Sequence, residues 1–381
     1  MVLISIIITL LYLLLIGSFI FGFDKVSTFK LKSIEAKTTF SVIIPFRNEA
    51  ENLPNLLASI DALKYPNHLY EIIFIDDDSV DDSAEIIKVF LDTIPIKGKN
   101  YRTDISIIKN EKTSNSPKKD AITTAIKQAK HNWIITTDAD CTLPKYWLDS
   151  FDEFIQTTNN KCIAAPVTYV YENSLLNRFQ LLDILSLQGA TIAGFGIKKP
   201  FLCNGANFAY QKALFFELNG FDGNNNIASG DDIFLLEKAV KMYPKNVNYL
   251  KCEQAIVKTK AQPTWNTLKE QRIRWAAKTS AYNNGFGKLI GFVVLVMNAL
   301  IISLLLLCIL SIFNIKIFIY ILIIKFNIDF YLIYKSALFF NQKHILRTYI
   351  FGFLIYPFFS FYIAVTSIFK GYKWKGRNFE K

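Results

Sequence analysis

The sequence predicts an α/β domain with a mostly parallel sheet, flanked by apolar helices long enough to cross a bilayer. Three observations point there. Between residues 38 and 260, short β-branched apolar runs alternate with stretches of helical spacing. Long apolar blocks stand at both ends of the chain. Several of the apolar runs end in acidic residues, and an α/β fold collects its ligand chemistry outside the carboxyl ends of its strands.

Val2 to Phe23 carries no charge and is long enough to span a membrane. A cleaved leader would need a basic start, a shorter core and a small-x-small site, none of which is present. Residues 1–24 are therefore expected to be a retained anchor. Lys25, Lys30, Lys32 and Lys37 follow that block and no lysine precedes it, which assigns the next region to the cytoplasm.

Residues 38–260 read as one domain. Ser41 to Ile44, Glu71 to Ile75, Ile105 to Ile108 and the run opening at Trp133 are strands. Helices are expected at Glu51 to Leu63, Ser83 to Phe90 and Ala121 to Lys130. After Cys162 the pattern turns irregular. A loop-rich half with Asn204-Gly205 and Asn219-Gly220 turn signals is expected on the acceptor side.

Residues 261–288, with Pro263, Trp265, Trp275 and several basic residues, read as an amphipathic interfacial segment. Residues 289–369 form a membrane region. Leu289 to Phe313 spans, and Tyr349 to Phe369 is a further candidate kinked at Pro357. Ile317 to Tyr334 between them is interrupted by Lys325 and Asp329, four apart and able to pair on one helix face. Three crossings would leave the basic tail, 370–381, outside, against the positive-inside rule. One segment is therefore expected to be re-entrant or interfacial, with Ile317 to Tyr334 the first suspect.

The chain has 381 residues and a net charge of +11, with much of the excess beside the apolar blocks. That distribution suits an anionic membrane surface; with no nucleic-acid-binding signature in the chain, nucleic acid is not an expected partner. Five cysteines without Cys-x-x-Cys spacing argue for reduced structural thiols, and three scattered histidines argue against a zinc site.

Five short stretches carry the chemistry. Pro45-Phe46-Arg47-Asn48-Glu49, Asp76-Asp77-Asp78-Ser79 and Asp138-Ala139-Asp140 each follow a strand; Gly230-Asp231-Asp232 and Gln271-Arg272-Ile273-Arg274-Trp275 come later. Paired carboxylates at a strand end can hold a hard divalent cation whose shell a diphosphate completes, or can simply be a solvated turn. Asp231-Asp232 can supply a general base or stabilise a helix N-terminus, and the two readings are compatible. Arg274 suits phosphate and Trp275 can stack on a sugar; an interfacial anchor reads the same way.

In this order the stretches resemble glycosyltransferase family 2. The likeness is to its membrane-embedded branch, with cellulose, chitin, hyaluronan and poly-N-acetylglucosamine synthases and ceramide glucosyltransferase. The resemblance covers roughly Thr39 to Trp275. It implies a single Rossmann-like nucleotide-sugar-binding domain of the glycosyltransferase A type, flanked by transmembrane helices. It gives Asp77 the N3–H of uracil, with Asp76, Pro45 and Glu49 on the nucleotide side. Lys118 takes the diphosphate, with Lys119 a second candidate and Pro117 standing where the family pattern has glycine. Asp140 is the direct ligand of Mg²⁺ or Mn²⁺, with Asp138 beside it contacting the ribose or sugar. Asn204 and Gly205 match the acceptor-side loop. Asp232, next to Asp231, is the base. Arg274 clamps the leaving diphosphate, with Gln271 and Trp275 in the same motif.

The implied activity is inverting transfer from a nucleotide sugar, UDP-linked by preference, to a lipid or glycan acceptor, for cell-envelope polysaccharide or glycolipid. The protein would be multi-pass in the cytoplasmic membrane with its domain in the cytoplasm. The alternative is a catalytically silent nucleotide-sugar sensor or a scaffold subunit of an envelope glycan complex. The presence of Asp77, Asp140, Asp232 and Arg274 weighs against it.

Overall fold

The computed structural model describes residues 1–93, 104–225 and 227–379. Residues 94–103 and 226 of the expected domain, and 380 and 381 of the expected tail, lie outside the described residues. The chain forms two compact units, one made of residues 1–26, 171–202 and 261–381 and the other of 27–170 and 203–260.

Helix α1 (Val2–Lys25) opens the first unit. The second unit then runs β1 (Phe40–Phe46), α2 (Leu53–Asp61), β2 (Tyr70–Asp76), α3 (Ser83–Thr93), β3 (Asp104–Lys109) and α4 (Pro117–Gln128). It continues through β4 (Trp133–Thr136), β5 (Cys141–Thr142), α5 (Trp147–Thr157), β6 (Cys162–Ala164) and β7 (Val167–Tyr169). Helix α6 (Leu175–Gly196) belongs to the first unit. Strand β8 (Phe208–Gln211), α7 (Lys212–Glu217), α8 (Asp231–Met242), β9 (Val247–Tyr249) and β10 (Val257–Thr259) complete the second. The first closes with α9 (Trp265–Ala277), α10 (Gly285–Ile309), α11 (Ile315–Phe339), α12 (Tyr349–Phe369), β11 (Tyr372–Trp374) and β12 (Arg377–Phe379).

In the second unit a seven-stranded sheet has the order β3-β2-β1-β4-β8-β6-β9. Strands β1 to β4 are mutually parallel, with Ile43 opposite both Ile73 and Thr136. Strand β8 runs antiparallel between β4 and β6, and β9 is parallel to β6, so the sheet is mostly parallel as the sequence implies. The apolar runs of β1, β2 and β4 are continuous because helices cover both faces, and Val42, Ile44, Ile72, Phe74, Ile134 and Ile135 have no exposed surface. The chain leaves β1 toward β2 and β3 on one side and returns to β4 on the other. The crevice at their carboxyl ends is thus a topological switch point.

Three features differ from the sequence reading, each for a local reason. Helix α4 starts at Pro117, ahead of the expected Ala121, because a proline fits the first helical turn, where its missing N–H costs nothing. The half after Cys162 holds strands of three or four residues, too short to show a period. It also holds the 22-residue α6, buried along most of its length, so it offers no amphipathic stripe to read. That helix packs against α1 and α11 within the first unit, so residues 171–202 leave the stretch expected as one domain.

Among the described residues four helical segments are long and apolar enough to cross a membrane: Val2–Lys25, Gly285–Ile309, Ile315–Phe339 and Lys343–Phe369. The third, the segment suspected of being re-entrant or interfacial, is one continuous helix that contains both charges. Its two charges pair as their spacing implies, Lys325 Nζ lying 2.6 Å from Asp329 Oδ2, while the Tyr12 hydroxyl donates to Asp329 Oδ1 at 2.6 Å.

Candidate active site

The residues expected on the nucleotide side lie where β1 and β2 end. The Asp77 amide donates to Phe46 O at 2.9 Å, and Arg47 Nη1 donates to the carbonyls of Asp77 and Asp78 at 2.5 and 3.0 Å. Asn48 and Asp78 adopt the left-handed conformation that Asn and Asp tolerate best after glycine. Much of the acidic loop serves its own turn. Asp76 Oδ1 accepts from the Ser79 amide at 2.8 Å. Asp81 accepts from the Ala50 amide and from the Ser83 amide and hydroxyl. Burial works against that carboxylate, yet these hydrogen bonds, the Ser83 hydroxyl foremost, hold Asp81 below its usual range. The Glu49 carboxylate accepts from Asn52 Nδ2 at 2.6 Å, and its amide donates to Ser83 Oγ. Pro45 sits inside β1, opposite Ile75.

Asp77 is oriented by a residue that sequence reading missed. Asn110, directly after β3, donates from Nδ2 to Asp77 Oδ1 at 2.8 Å and to Pro117 O at 3.0 Å. It thereby ties the Asp77 carboxylate to the start of α4. A polar residue at the end of an apolar strand was the available signal.

Carboxylates from two other segments gather around Lys118. Its Nζ lies 2.7 Å from Asp138 Oδ1 and 3.4 Å from Asp231 Oδ2, so the start of α4, the segment after β4 and the start of α8 meet at one ammonium. Burial alone would lower the pKa of Lys118. The Asp138 and Asp231 charges, the Asp138 hydrogen bond and the Asp232 charge outweigh it and hold the group above the usual lysine value. Lys119 turns away and buries its ammonium against the carbonyls of Asn224 and Ile227. Of the two candidate lysines, Lys118 is the one facing the carboxylates.

Asp232 Oδ2 accepts from the Gly205 amide at 2.9 Å, and its Oδ1 accepts from the Ile233 amide at 2.8 Å. Asn204 Oδ1 caps the Ala206 amide. A Cβ at position 205 would stand 3.0 Å from Asp231 Oδ2 and 3.6 Å from Lys118 Nζ, so a larger residue there would press on the Asp231 carboxylate. Next to the paired carboxylates, burial and then the Asp140 and Asp138 charges push the Cys141 thiol well above its usual range, which disfavours a thiolate nucleophile.

Among the described residues no cluster of three or more His, Cys, Asp or Glu suits a metal ion. Asp138 and Asp140 nonetheless fit a hard divalent cation, which is commonly held by one or two carboxylates with phosphate oxygens and water completing the shell. Both are partly exposed just beyond β4, and Asp138 already accommodates a cationic neighbour in Lys118.

Gln271, Arg274 and Trp275 lie on α9 in the first unit, whose start is fixed by a Thr264–Thr267 capping box. Sequence reading passed over the arginine inside that motif. Arg272 is buried, and its Nε and Nη2 both reach Asp183 Oδ2 on α6 at 2.7 Å. Its guanidinium lies 4.1 Å from the Trp275 ring centroid, and it donates to Gln271 Oε1. Arg274 lies over the Trp374 ring at 5.1 Å.

Comparison with known proteins agrees with this fold. The sequence matches the glycosyl transferase family 2 domain over residues 41–218 and the glycosyl transferase family group 2 domain over residues 133–365. It is 25% identical over 278 residues to a poly-beta-1,6-N-acetyl-D-glucosamine synthase of Staphylococcus epidermidis, covering 69% of this chain and 61% of that protein. It is 28% identical over 201 residues to the glycosyltransferase AglE of Haloferax volcanii, covering 52% and 60%. It is 35% identical over 105 residues to the undecaprenyl-phosphate 4-deoxy-4-formamido-L-arabinose transferase of Pseudomonas savastanoi, covering 27% and 28%. The chain thus spans between 28% and 61% of the length of these three relatives. Among solved structures, the mannosyltransferase PcManGT from Pyrobaculum calidifontis, in complex with GDP-Man and Mn²⁺, superposes with a TM-score of 0.53 over 96% of both chains at 15% identity. With the second domain match covering more than half of its length, the chain belongs to glycosyl transferase family 2.

Proposed function

We propose that this chain is a membrane-bound inverting glycosyltransferase that moves a sugar from a nucleotide sugar, UDP-linked by preference, to a lipid or glycan acceptor. The observation that carries the reading is the convergence on Lys118 of Asp138 from the end of β4 and Asp231 from the start of α8. A donor diphosphate and an acceptor hydroxyl need these charges side by side. Relatives named for undecaprenyl phosphate and for a glucosamine polymer support a lipid or glycan acceptor. The lysines after α1 support a cytoplasmic domain.

In the proposed reaction Asp77 takes the uracil N3–H, with Asp76, Pro45 and Glu49 shaping the nucleotide side. Lys118 and Arg274 bind the diphosphate, with Gln271 beside Arg274. Asn204 and Gly205 line the acceptor side, and Trp275 stacks on a sugar face. Asp140, with Asp138 beside it, would hold Mg²⁺ or Mn²⁺, which supplies charge neutralisation for the leaving diphosphate. Asp232, with Asp231 adjacent, accepts the acceptor hydroxyl proton. The acceptor oxygen then bonds to the anomeric carbon from the face opposite the diphosphate. The anomeric C–O bond breaks with its electron pair going to the nucleoside diphosphate, and configuration inverts.

The test uses the full chain in membranes, screened against UDP- and GDP-sugars for nucleotide release with and without Mn²⁺. Release from a UDP-sugar that needs Mn²⁺ supports the donor and metal assignments; metal-independent release overturns the latter, and a GDP-sugar preference overturns the former. Asp232→Asn should lower transfer by about 10² to 10⁴-fold with UDP binding intact. Unchanged transfer removes Asp232 as the base.

A further inference from the structure

We propose that Lys119 is a positioning residue for the transfer reaction, holding the segment that delivers Asp231 and Asp232. The inference rests on the activity proposed above but stands on different atoms. Lys119 follows Lys118 in the first turn of α4, and successive helical residues point about 100° apart. One lysine therefore faces the carboxylates while its neighbour enters the core.

Lys119 is 1% exposed. Its Nζ donates to Asn224 O at 2.7 Å and Ile227 O at 2.8 Å, and it lies 4.8 Å from the Phe234 ring centroid on α8. Burying an ammonium is costly unless hydrogen bonds compensate it, and methionine would fill the same space without that cost. The cation's particular contribution is its donors, which satisfy two loop carbonyls that an apolar chain would orphan.

A second lysine grips the same segment. Lys238 on α8 donates to Gly220 O at 2.8 Å, Asp222 O at 2.9 Å and Leu218 O at 3.3 Å. The stretch between α7 and α8 is thus fastened through its carbonyls by two ammonium groups, one from α4 and one from α8. It ends at Gly230, whose φ of +88° turns the chain abruptly into α8 so that Asp231 and Asp232 open the helix. Through adjacent residues, α4 sets the spacing between its phosphate-side lysine and the acidic pair. Misplacing a reacting group by about 1 Å can cost about 100-fold in rate.

The experiment compares wild type, Lys119→Met, Lys118→Met and Lys238→Met as full chains in nanodiscs. Lys119→Met should speed amide hydrogen exchange in the 221–232 peptide about tenfold, lower kcat about 100-fold, and leave donor KM and UDP affinity within about threefold. Lys118→Met should weaken UDP binding instead. Should Lys119→Met fold poorly, Lys238→Met should loosen the same peptide, with kcat falling in step. Faster exchange without a fall in kcat overturns the proposal, as does unchanged exchange. Loss of UDP affinity matching Lys118→Met would make Lys119 a phosphate ligand, which also overturns it. If wild type neither binds UDP nor transfers sugar while the exchange results hold, the enzymatic reading fails and the clamp remains.

Discussion

Lys118, half-buried, and Arg272, buried, are both cations beside carboxylates, yet they are held in opposite ways. Arg272 directs two nitrogens at one oxygen of Asp183, and the pair is 7% and 5% exposed. Lys118 divides one ammonium between Asp138 and Asp231, is 18% exposed, and has in Asp138 a partner that is 35% exposed. The first arrangement matches one cation to one anion in a closed geometry. The second leaves a partly open carboxylate at a strand end, where an incoming cation can replace the lysine at the carboxylate or a phosphate can replace the carboxylate at the lysine. Similar chemistry reads as scaffold when the pair is closed and as binding site when it is shared and open.

Substituting each member should separate the two. The largest expected effect is Asp140→Asn, which should lower sugar transfer by at least about 10³-fold, about 4 kcal/mol of transition-state stabilisation, with little change in thermal stability. Parallel losses of activity and stability would place Asp140 with the scaffold. Asp183→Ala should do the reverse. It strands a buried guanidinium, so about 3–5 kcal/mol of stability should be lost, read as a fall in the melting temperature of the protein in nanodiscs. The double change Asp183→Leu with Arg272→Met should recover most of that loss, because neither charge is then left without the other. Lys118→Met should have a middle-sized effect, a tenfold to 100-fold weaker UDP affinity, matching the roughly 1.5–3 kcal/mol of a hydrogen bond to a charged group. A variant that binds UDP normally would remove the lysine from the diphosphate site.

The difference between the two clusters also explains what the sequence disclosed. Asp138 and Asp140 are legible because β4 is fully buried and its apolar run ends at Thr136, so the next charges must lie beyond the strand end. Asp77 and the Asp231-Asp232 pair are legible for the same reason, one directly following a buried strand and the other opening an apolar helix. Choosing between Lys118 and Lys119 is not possible without the phase of α4, which Pro117 sets by starting the helix early. Asp183 and Arg272 are 89 residues apart, and Asp183 lies on a helix with no apolar stripe to announce it. Asn110 reaches Asp77 across 33 residues, from a position that local pattern marks only as the end of a strand. Local signals thus name the groups at the ends of elements, while pairing across the fold decides which of them are oriented.

The smallest expected effect tests whether a closed pair inside apolar helices tolerates losing a third partner. Asp329 accepts from both Lys325 and the Tyr12 hydroxyl, each at 2.6 Å, and Lys325 is 2% exposed. Tyr12→Phe removes one neutral donor and leaves the ion pair whole. Hydrogen bonds between membrane helices average about 0.6 kcal/mol, so stability should fall by about that much. Lys325→Met removes the balancing charge and leaves Asp329 with only the tyrosine hydroxyl of these two partners, which should cost several times more. Thermal inactivation of the two variants in nanodiscs measures the ratio. If Tyr12→Phe proved as damaging as Lys325→Met, the hydroxyl would be essential to the pair, and the contrast between closed and shared cations would not extend to the apolar helices. A small first effect beside a large second one would make charge balance, more than the number of hydrogen bonds, the feature that separates scaffold from site in this chain.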